Sequence, residues 1–390
     1  MKKCFISKNY RHTQSAGDKA KTDIEAIMLR NGYKNVGLRQ DRSKNAVKAY
    51  FHTLISELRG IARLDRGDIL VVQYPLKKYY DFVVDKAIKR GARIVTVIHD
   101  LGSFRRRKLT VDEEIARLNR SAAVIVHSQA MHDWLRDHGL KSPMVILGLF
   151  DYLSDSAANN KMTTIGRRPR LMFAGDCSPQ SNGWIYSLAK AEPDIDIILY
   201  GGGVDQTAAP DNIHAMGYVD SDMLIAGAEG DFGVVWYGSS LDEGAGPLGE
   251  YLRYNAPHKT SLYLRAGIPV IIWDKAALAD IVRRLDVGLC VPSLRGIEYV
   301  RSSYSQDYTH AVAATTGIDE ITDAAVQPKV FVRNGELVVV NPEAANIEVY
   351  DSLGHLVASD SSHNNLVAIP VDAKGVLIVR VGAATLKAIK

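Results

Sequence analysis

The sequence predicts an α/β protein with two doubly wound parallel sheets facing a cleft, followed by a small antiparallel β-sandwich. Three observations carry that expectation. Short, β-branched, nearly uninterrupted apolar runs recur through the first 300 residues, as strands buried on both faces require. Helical patterns alternate with them, which is the signature of crossover-connected parallel sheets. After about residue 305 the helices vanish and closely spaced short strands take over.

In order, the expected strands are Lys3–Ser7, Ile69–Gln73, Arg93–Ile98 and Ala122–Val126, then Arg170–Ala174, Ile195–Tyr200, Phe232–Trp236, Ile268–Trp273 and Gly288–Val291. Helices are expected over Ala20–Arg30, Ala46–Arg63, Tyr79–Lys89 and Val111–Asn119. Gly32, Gly91, Gly139 and Gly267 act as C-terminal stops. The polar, aperiodic stretch Ser154–Arg168 reads as a linker. It divides a first domain, 1–153, from a second, 154–310. A further linker spans 311–328, and 329–390 forms the β-sandwich. Its strands are expected at Lys329–Arg333, Leu337–Val340, Ile347–Tyr350, Leu356–Ala358, Leu366–Ile369 and Val376–Val381. Two sheets joined by one linker leave an inter-domain cleft, where ligands commonly sit.

The composition is that of an ordered globular chain, 46% hydrophobic and 24% charged. No apolar run is long enough for a signal peptide or a membrane span, and the three cysteines, Cys4, Cys177 and Cys290, are scattered. A cytoplasmic protein with reduced thiols is the expectation. The net charge of +4 conceals an asymmetry. Residues 1–153 hold 29 Lys and Arg against 16 Asp and Glu (+13), the remainder 19 against 28 (−9). The densest basic run is Arg105-Arg106-Arg107-Lys108. Two readings stand: a solvated loop, or contact with anionic lipid at the inner face of the membrane. Nucleic acid is disfavoured, because no aromatic residues interleave with the run.

Ligands of open parallel sheets bind beyond the carboxyl ends of the strands, so the residues after each run are informative. The richest such segment is Tyr254–Ile271. Pro257 suits a first helical position and Gly267 closes the helix. The helix start, with Asn255, His258, Lys259, Thr260 and Ser261 around it, makes a metal-free cradle for a diphosphate. Gly175-Asp176 and Tyr200-Gly201 end two strands, where glycine allows a ligand close to the backbone, although turns without any ligand read the same way. Neither is a dinucleotide fingerprint, which disfavours a nicotinamide cofactor.

In the first domain, His99 and Asp100 end a strand, where a base could take a proton from an acceptor hydroxyl. His99 and His127 read equally well as structural histidines. Asp18 is a weaker candidate, since it could cap the following helix. No metal site emerges. Asp194-Ile195-Asp196 starts a strand rather than ending one, and Asp220-Ser221-Asp222 reads as a helix cap.

Several separated segments then point to one family. They are Ser15–Asp23, Ile98–Leu101, Leu118–Ala122, Met131–Leu135, Leu149–Leu153 and Asn255–Ile271. Across roughly residues 1–305 the chain resembles bacterial β-1,6-galactofuranosyltransferases, and it is similar to the streptococcal glucosyltransferase that adds the second sugar to serine-rich-repeat adhesins. The resemblance implies a GT-B fold of two Rossmann-like domains and a UDP-sugar donor held by the second domain. It implies no metal or other cofactor. It also implies an acceptor that is a glycan, glycoprotein or lipid-linked sugar, with Lys259 on the donor phosphates and Ser15, Gly17 and Asp18 facing the acceptor. The expected reaction is hexosyl transfer by direct displacement.

Two departures qualify this. Such enzymes end in helices that return to the first domain, whereas here the resemblance fades after Ser305–Tyr308. The segment 330–390 resembles a Bacteroidetes C-terminal sorting domain. A nucleotide-sugar-binding protein that has lost activity is therefore the alternative, and an epimerase a more distant one. The sugar, the linkage and any homo-oligomer stay open.

Overall fold

The computed structural model describes residues 1–8, 10, 16–76, 79–105, 109–156, 158, 168–296, 329–333, 336–340, 345–351, 353–361, 366–373, 376–382 and 384–389. The chain divides into two compact units, Met1–Gly317 and Ile318–Lys390.

The first unit holds two six-stranded sheets. One comprises β1 (Lys3–Phe5), β2 (Lys34–Asn35), β3 (Ile69–Tyr74), β4 (Arg93–Ile98), β5 (Ala123–Val126) and β6 (Met144–Ile146), in the order β2-β1-β3-β4-β5-β6. The other comprises β7 (Arg170–Asp176), β8 (Asp196–Gly202), β9 (Ile213–Gly217), β10 (Phe232–Val235), β11 (Val270–Trp273) and β12 (Gly288–Val291), in the order β12-β11-β10-β7-β8-β9. Every pairing in both is parallel. The architecture is GT-B. Each sheet reverses direction once, between β1 and β3 and between β7 and β10, and ligands of such sheets sit beyond the strand ends at these switch points.

Helices cover the faces. In the first half they are α1 (Ala16–Arg30), α2 (Ala46–Ala62), α3 (Tyr80–Lys89), α4 (Gly102–Arg105), α5 (Val111–Leu118) and α6 (Gln129–Asp137). The second half carries α7 (Pro179–Asn182), α8 (Trp184–Ala191), α9 (Ser221–Gly227), α10 (Gly246–Tyr251), α11 (His258–Arg265) and α12 (Ala279–Leu285). Central strands are apolar throughout, as burial on both faces demands: Val270–Trp273 and Phe232–Val235 are buried at every position. Capping follows the local sequence. Thr110 and Glu113 close a reciprocal capping box on α5, and Asp220 accepts the Asp222 N–H as the cap of α9. The four glycine stops all adopt positive φ.

Three expectations shift. Helix α1 begins at Ala16 rather than Ala20, so Asp18 lies inside its first turn and does not cap it. Pro257 is the N-cap of α11, with extended backbone, rather than its first helical residue. Strands β2, β6 and β9 are additional, and each lies on or next to a sheet edge, where solvent removes the need for an apolar run.

The second unit stacks a three-stranded sheet against a four-stranded one. The strands are β13 (Lys329–Arg333), β14 (Glu336–Val340), β15 (Ile347–Tyr350), β16 (Leu356–Asp360), β17 (Leu366–Pro370), β18 (Val376–Val381) and β19 (Ala384–Ile389), ordered β13-β14-β17 and β16-β15-β18-β19. All pairings are antiparallel, around a core of Leu337, Val339, Val349, Leu377 and Val379. Strand β19 is an addition to the expected six. No described helix in either unit is long and apolar enough to cross a membrane.

Candidate functional site

The strand ends of the two large sheets enclose a cavity of about 1130 Å³. It is lined by Asp18, His99 and Asp100 from one side and by Gly175, Asp176, Tyr200, Gly201, Asn255, His258 and Lys259 from the other. Ten of the residues singled out from sequence therefore meet in one place. Ser15 lies outside the described residues, Gly17 is described only as part of the helix backbone, and Thr260 and Ser261 are not part of the described lining.

On the second-domain side, β7 and β8 run out side by side, with Gly175 opposite Gly201. A Cβ on Gly201 would lie 1.9 Å from the Gly175 carbonyl oxygen, and its φ of +144 is one that only glycine adopts readily. The backbone is therefore bare where the strands open onto the cavity. Helix α11 is pinned behind them. The Ala174 N–H donates to the Tyr263 hydroxyl at 2.8 Å, and Gly233 leaves room for the Tyr263 ring. One turn earlier, the nearly buried Lys259 holds its Nζ 3.8 Å from the Phe173 ring centre and 4.2 Å from that of Tyr237.

Around the start of α11, Asn255 Oδ1, His258 Nδ1, Thr260 Oγ1 and Ser261 Oγ are all buried without a hydrogen-bond partner. Buried polar atoms are normally satisfied, and two of these, on Asn255 and His258, belong to residues that line the cavity. The first turn of a helix adds N–H groups with no intrahelical acceptor. Asp176 faces this region. Burial pushes its carboxyl up, but hydrogen bonds from Ser181 and Ser178 and the charge of Lys259 outweigh that and hold it low.

On the first-domain side, burial disfavours the charged form of His99 and His127. His99 packs face to face with Phe150, and burial, then the charges of Lys21, His127 and His258, hold it well below the usual histidine range. Its Nε2 donates to Gln73 Oε1 at 2.8 Å, an orientation fixed because the Gln73 amide nitrogen donates to the Lys21 carbonyl. His127 is the structural histidine that the sequence allowed. Its Nε2 donates to the Ile98 carbonyl at 2.8 Å and its Nδ1 accepts the Ala256 N–H at 3.0 Å, with burial lowering it to about 4. It thus ties the loop before α11 to the first sheet. Ser128, donating to the Tyr254 carbonyl, and Tyr251, accepting the Leu101 N–H, do the same.

The sequence matches the glucosyltransferase 3-like N-terminal domain over residues 3–149 and the corresponding C-terminal domain over residues 171–325. The chain belongs to the glucosyltransferase 3-like family. It is a glycosyltransferase. The chain is 27% identical over 310 residues to the β-1,6-galactofuranosyltransferase WbbI of Escherichia coli, covering 78% of this chain and 89% of that protein. It is 28% identical over 268 residues to glucosyltransferase 3 of Streptococcus gordonii, covering 64% and 76% respectively. In fold it is similar to the lipopolysaccharide outer core galactosyltransferase WaaB in its apo form. That likeness has a TM-score of 0.51 at 10% identity, over 82% of this chain and 96% of that one.

The match to this glycosyltransferase family continues to residue 325, so the resemblance does not end at Ser305–Tyr308. The segment that terminal helices would occupy, on which the reading as a binding protein without activity turned, lies outside the described residues. The structure adds detail to two expected features. The Tyr200 hydroxyl accepts the Glu229 N–H and so is engaged within its own domain. Thr260 and Ser261 are buried beneath the helix start rather than exposed beside Lys259. Residues 106–108 of the basic run, and the linker 311–328, lie outside the described residues. Two residues that the sequence did not single out also line the cavity: Tyr218, three-quarters exposed and against Gly202, and Tyr237. Both follow strands, β9 and β10, and the rule that exposes strand-end residues would have found Tyr237.

Proposed function

We propose that the chain transfers a hexose from a UDP-sugar to a hydroxyl of a glycan-bearing acceptor by direct displacement, with the diphosphate held at the start of α11. The observation that carries this is the convergence of Lys259, a helix N-terminus and the unpartnered Asn255 Oδ1 and His258 Nδ1, whose residues line the cavity, beside two bare strand ends. A nucleoside diphosphate leaves with added negative charge. A cation already desolvated between two aromatic rings meets that charge without reorganising. Tyr218, at the mouth of the cavity beyond β9, offers a ring on which a nucleobase stacks.

Displacement needs the acceptor hydroxyl to lose its proton as the bond forms. Asp100, at the end of β4 and within the cavity, is the base we assign. His99 beside it is held neutral, so it adds no competing positive charge to the acceptor side. Asp18, from the first turn of α1, lines the same wall and orients acceptor hydroxyls.

Release of UDP from a panel of UDP-hexoses, with and without glycan acceptors, tests the reaction. Acceptor-dependent release from at least one donor, together with a glycosylated product, is expected. Free sugar released at the same rate without any acceptor would overturn transfer.

A further inference from the structure

Helix α2 carries its apolar pattern the wrong way round for a surface helix. At 100° per residue, Ala49, Ser56 and Gly60 point inward and are buried. The opposite pole, normally polar, consists of Val47, Phe51, Leu54, Ile55 and Leu58 within an arc of about 100°. Four of these are strongly exposed: Val47 65%, Phe51 54%, Ile55 50% and Leu58 48%. A contiguous exposed stripe of this kind marks a surface that meets something apolar.

Cations border the stripe on one side. Lys48 and Arg59 fall just beyond Ile55 on the wheel. The approach to the helix adds exposed Arg39, Arg42 and Lys44, and its end adds Arg63. Between residues 39 and 63 there is no exposed carboxylate: Asp41 is half-buried and Glu57 is buried. Elsewhere on this half, basic side chains meet acids, as Arg117 and Arg120 meet Asp81 and Lys2 meets Asp65.

We propose that the outer face of α2 lies in the headgroup region of an anionic lipid bilayer. An apolar stripe bordered by cations is what an interfacial helix presents: the stripe enters the acyl boundary and the cations meet the lipid phosphates. A second copy of the chain is the poorer occupant, because a two-fold contact through this face sets two like-charged sets of cations against each other. The helix is about 25 Å long, enough to lie along the surface. Its inner side, through Ala46, Ala49, Tyr50 and Thr53, is also a wall of the cavity. The bilayer therefore stands beside the acceptor side of the cleft. Resting on the transferase reading above, this assigns the acceptor to the lipid-linked class.

The test is flotation of the full chain with phosphatidylcholine vesicles, with and without phosphatidylglycerol. Three paired variants accompany it: Phe51→Ser with Ile55→Ser, Lys48→Glu with Arg59→Glu, and, as a charge-matched control on α12, Arg283→Glu with Arg284→Glu. The wild type floats with anionic vesicles, less so at high salt, and stays in solution with neutral ones. Each α2 pair lowers the bound fraction about tenfold or more, and the α12 pair does not. UDP titration of each variant reports an intact donor site, so loss of lipid binding is separable from failure of the transferase reading. Absence of flotation overturns the proposal, as does flotation that both α2 pairs leave unchanged. Light scattering that shows the α2 pairs dissociating an oligomer, with no vesicle binding, assigns the face to a second copy instead and also overturns it.

Discussion

The two halves that form the cleft share a six-stranded parallel sheet and differ in where they put charge. The first half is strongly basic, and its wall of the cavity sets Lys8, Lys19 and Lys21 beside Asp18, Asp100 and His99, while further cations, Lys48 and Arg59, stand on the exposed side of α2. The second half belongs to the acidic remainder, yet it buries one lysine between two rings at its ligand-facing helix. In the second half, whole-domain charge thus says little about what binds in the cleft. A single nearly buried cation outweighs many solvated acids, because water screens the acids far more strongly than the lysine. Bulk charge speaks instead to surfaces, and α2 is the surface it describes.

If the halves divide the labour in this way, Asp100→Asn lowers turnover by about a thousandfold, within the range for a lost general base, and leaves UDP affinity unchanged. Steady-state rates beside calorimetry measure both. An equal fall in UDP affinity would break the division. Next in size is Gly201→Ala. Its added Cβ meets the Gly175 carbonyl at 1.9 Å at a φ of +144, whereas one on Gly217 meets nothing within 4 Å at a milder φ of +71. Thermal melts should place Gly201→Ala at about 2–3 kcal/mol of lost stability and Gly217→Ala at about 1. Equal losses would mean that conformation alone, not close strand approach, sets the cost.

The neutral histidines give the halves a shared acid sensitivity. His127 and His258 are lowered to about 4 by burial, so between pH 6.5 and 4 the unfolded chain takes up protons that the folded chain refuses. Stability falls as pH falls through that window, by up to about 1.4 kcal/mol per pH unit for each. Glu57 opposes them. Burial raises it to about 7, so its folded form gains protons first and one histidine's effect is offset. Urea melts at pH 7 and pH 5 should show a net loss, and Glu57→Gln should steepen it. The smallest effect expected is at the mouth of the cavity. Tyr218→Ala should weaken UDP about fivefold, or 1 kcal/mol, without changing turnover at saturation.

Much of this was legible in the sequence, and the failures have causes. The central strands announced themselves because burial on both faces forces apolar runs. Lys34–Asn35, Met144–Ile146 and Ile213–Gly217 did not, because they lie on or near sheet edges and face solvent. The strand-end rule gathered His99, Asp100, Gly175, Gly201 and Lys259 into one cavity. It could not show that Tyr200 spends its hydroxyl on Glu229, or that Thr260 and Ser261 turn inward, since side-chain direction at a helix start depends on what packs behind it. The stripe on α2 was visible as helical periodicity. Only burial reveals that the apolar side is the outer one, because Ser56, Glu57 and Gly60 occupy the inner side that apolar residues ordinarily take.

The central claim is that the donor's diphosphate sits at the start of α11 against Lys259. Calorimetric titration of the full chain and of Lys259→Ala with UDP tests it most directly. Micromolar binding that the substitution weakens tenfold or more, about 1.4 kcal/mol, is the predicted result. Equal affinity in the two chains would contradict it and place the diphosphate elsewhere in the cleft.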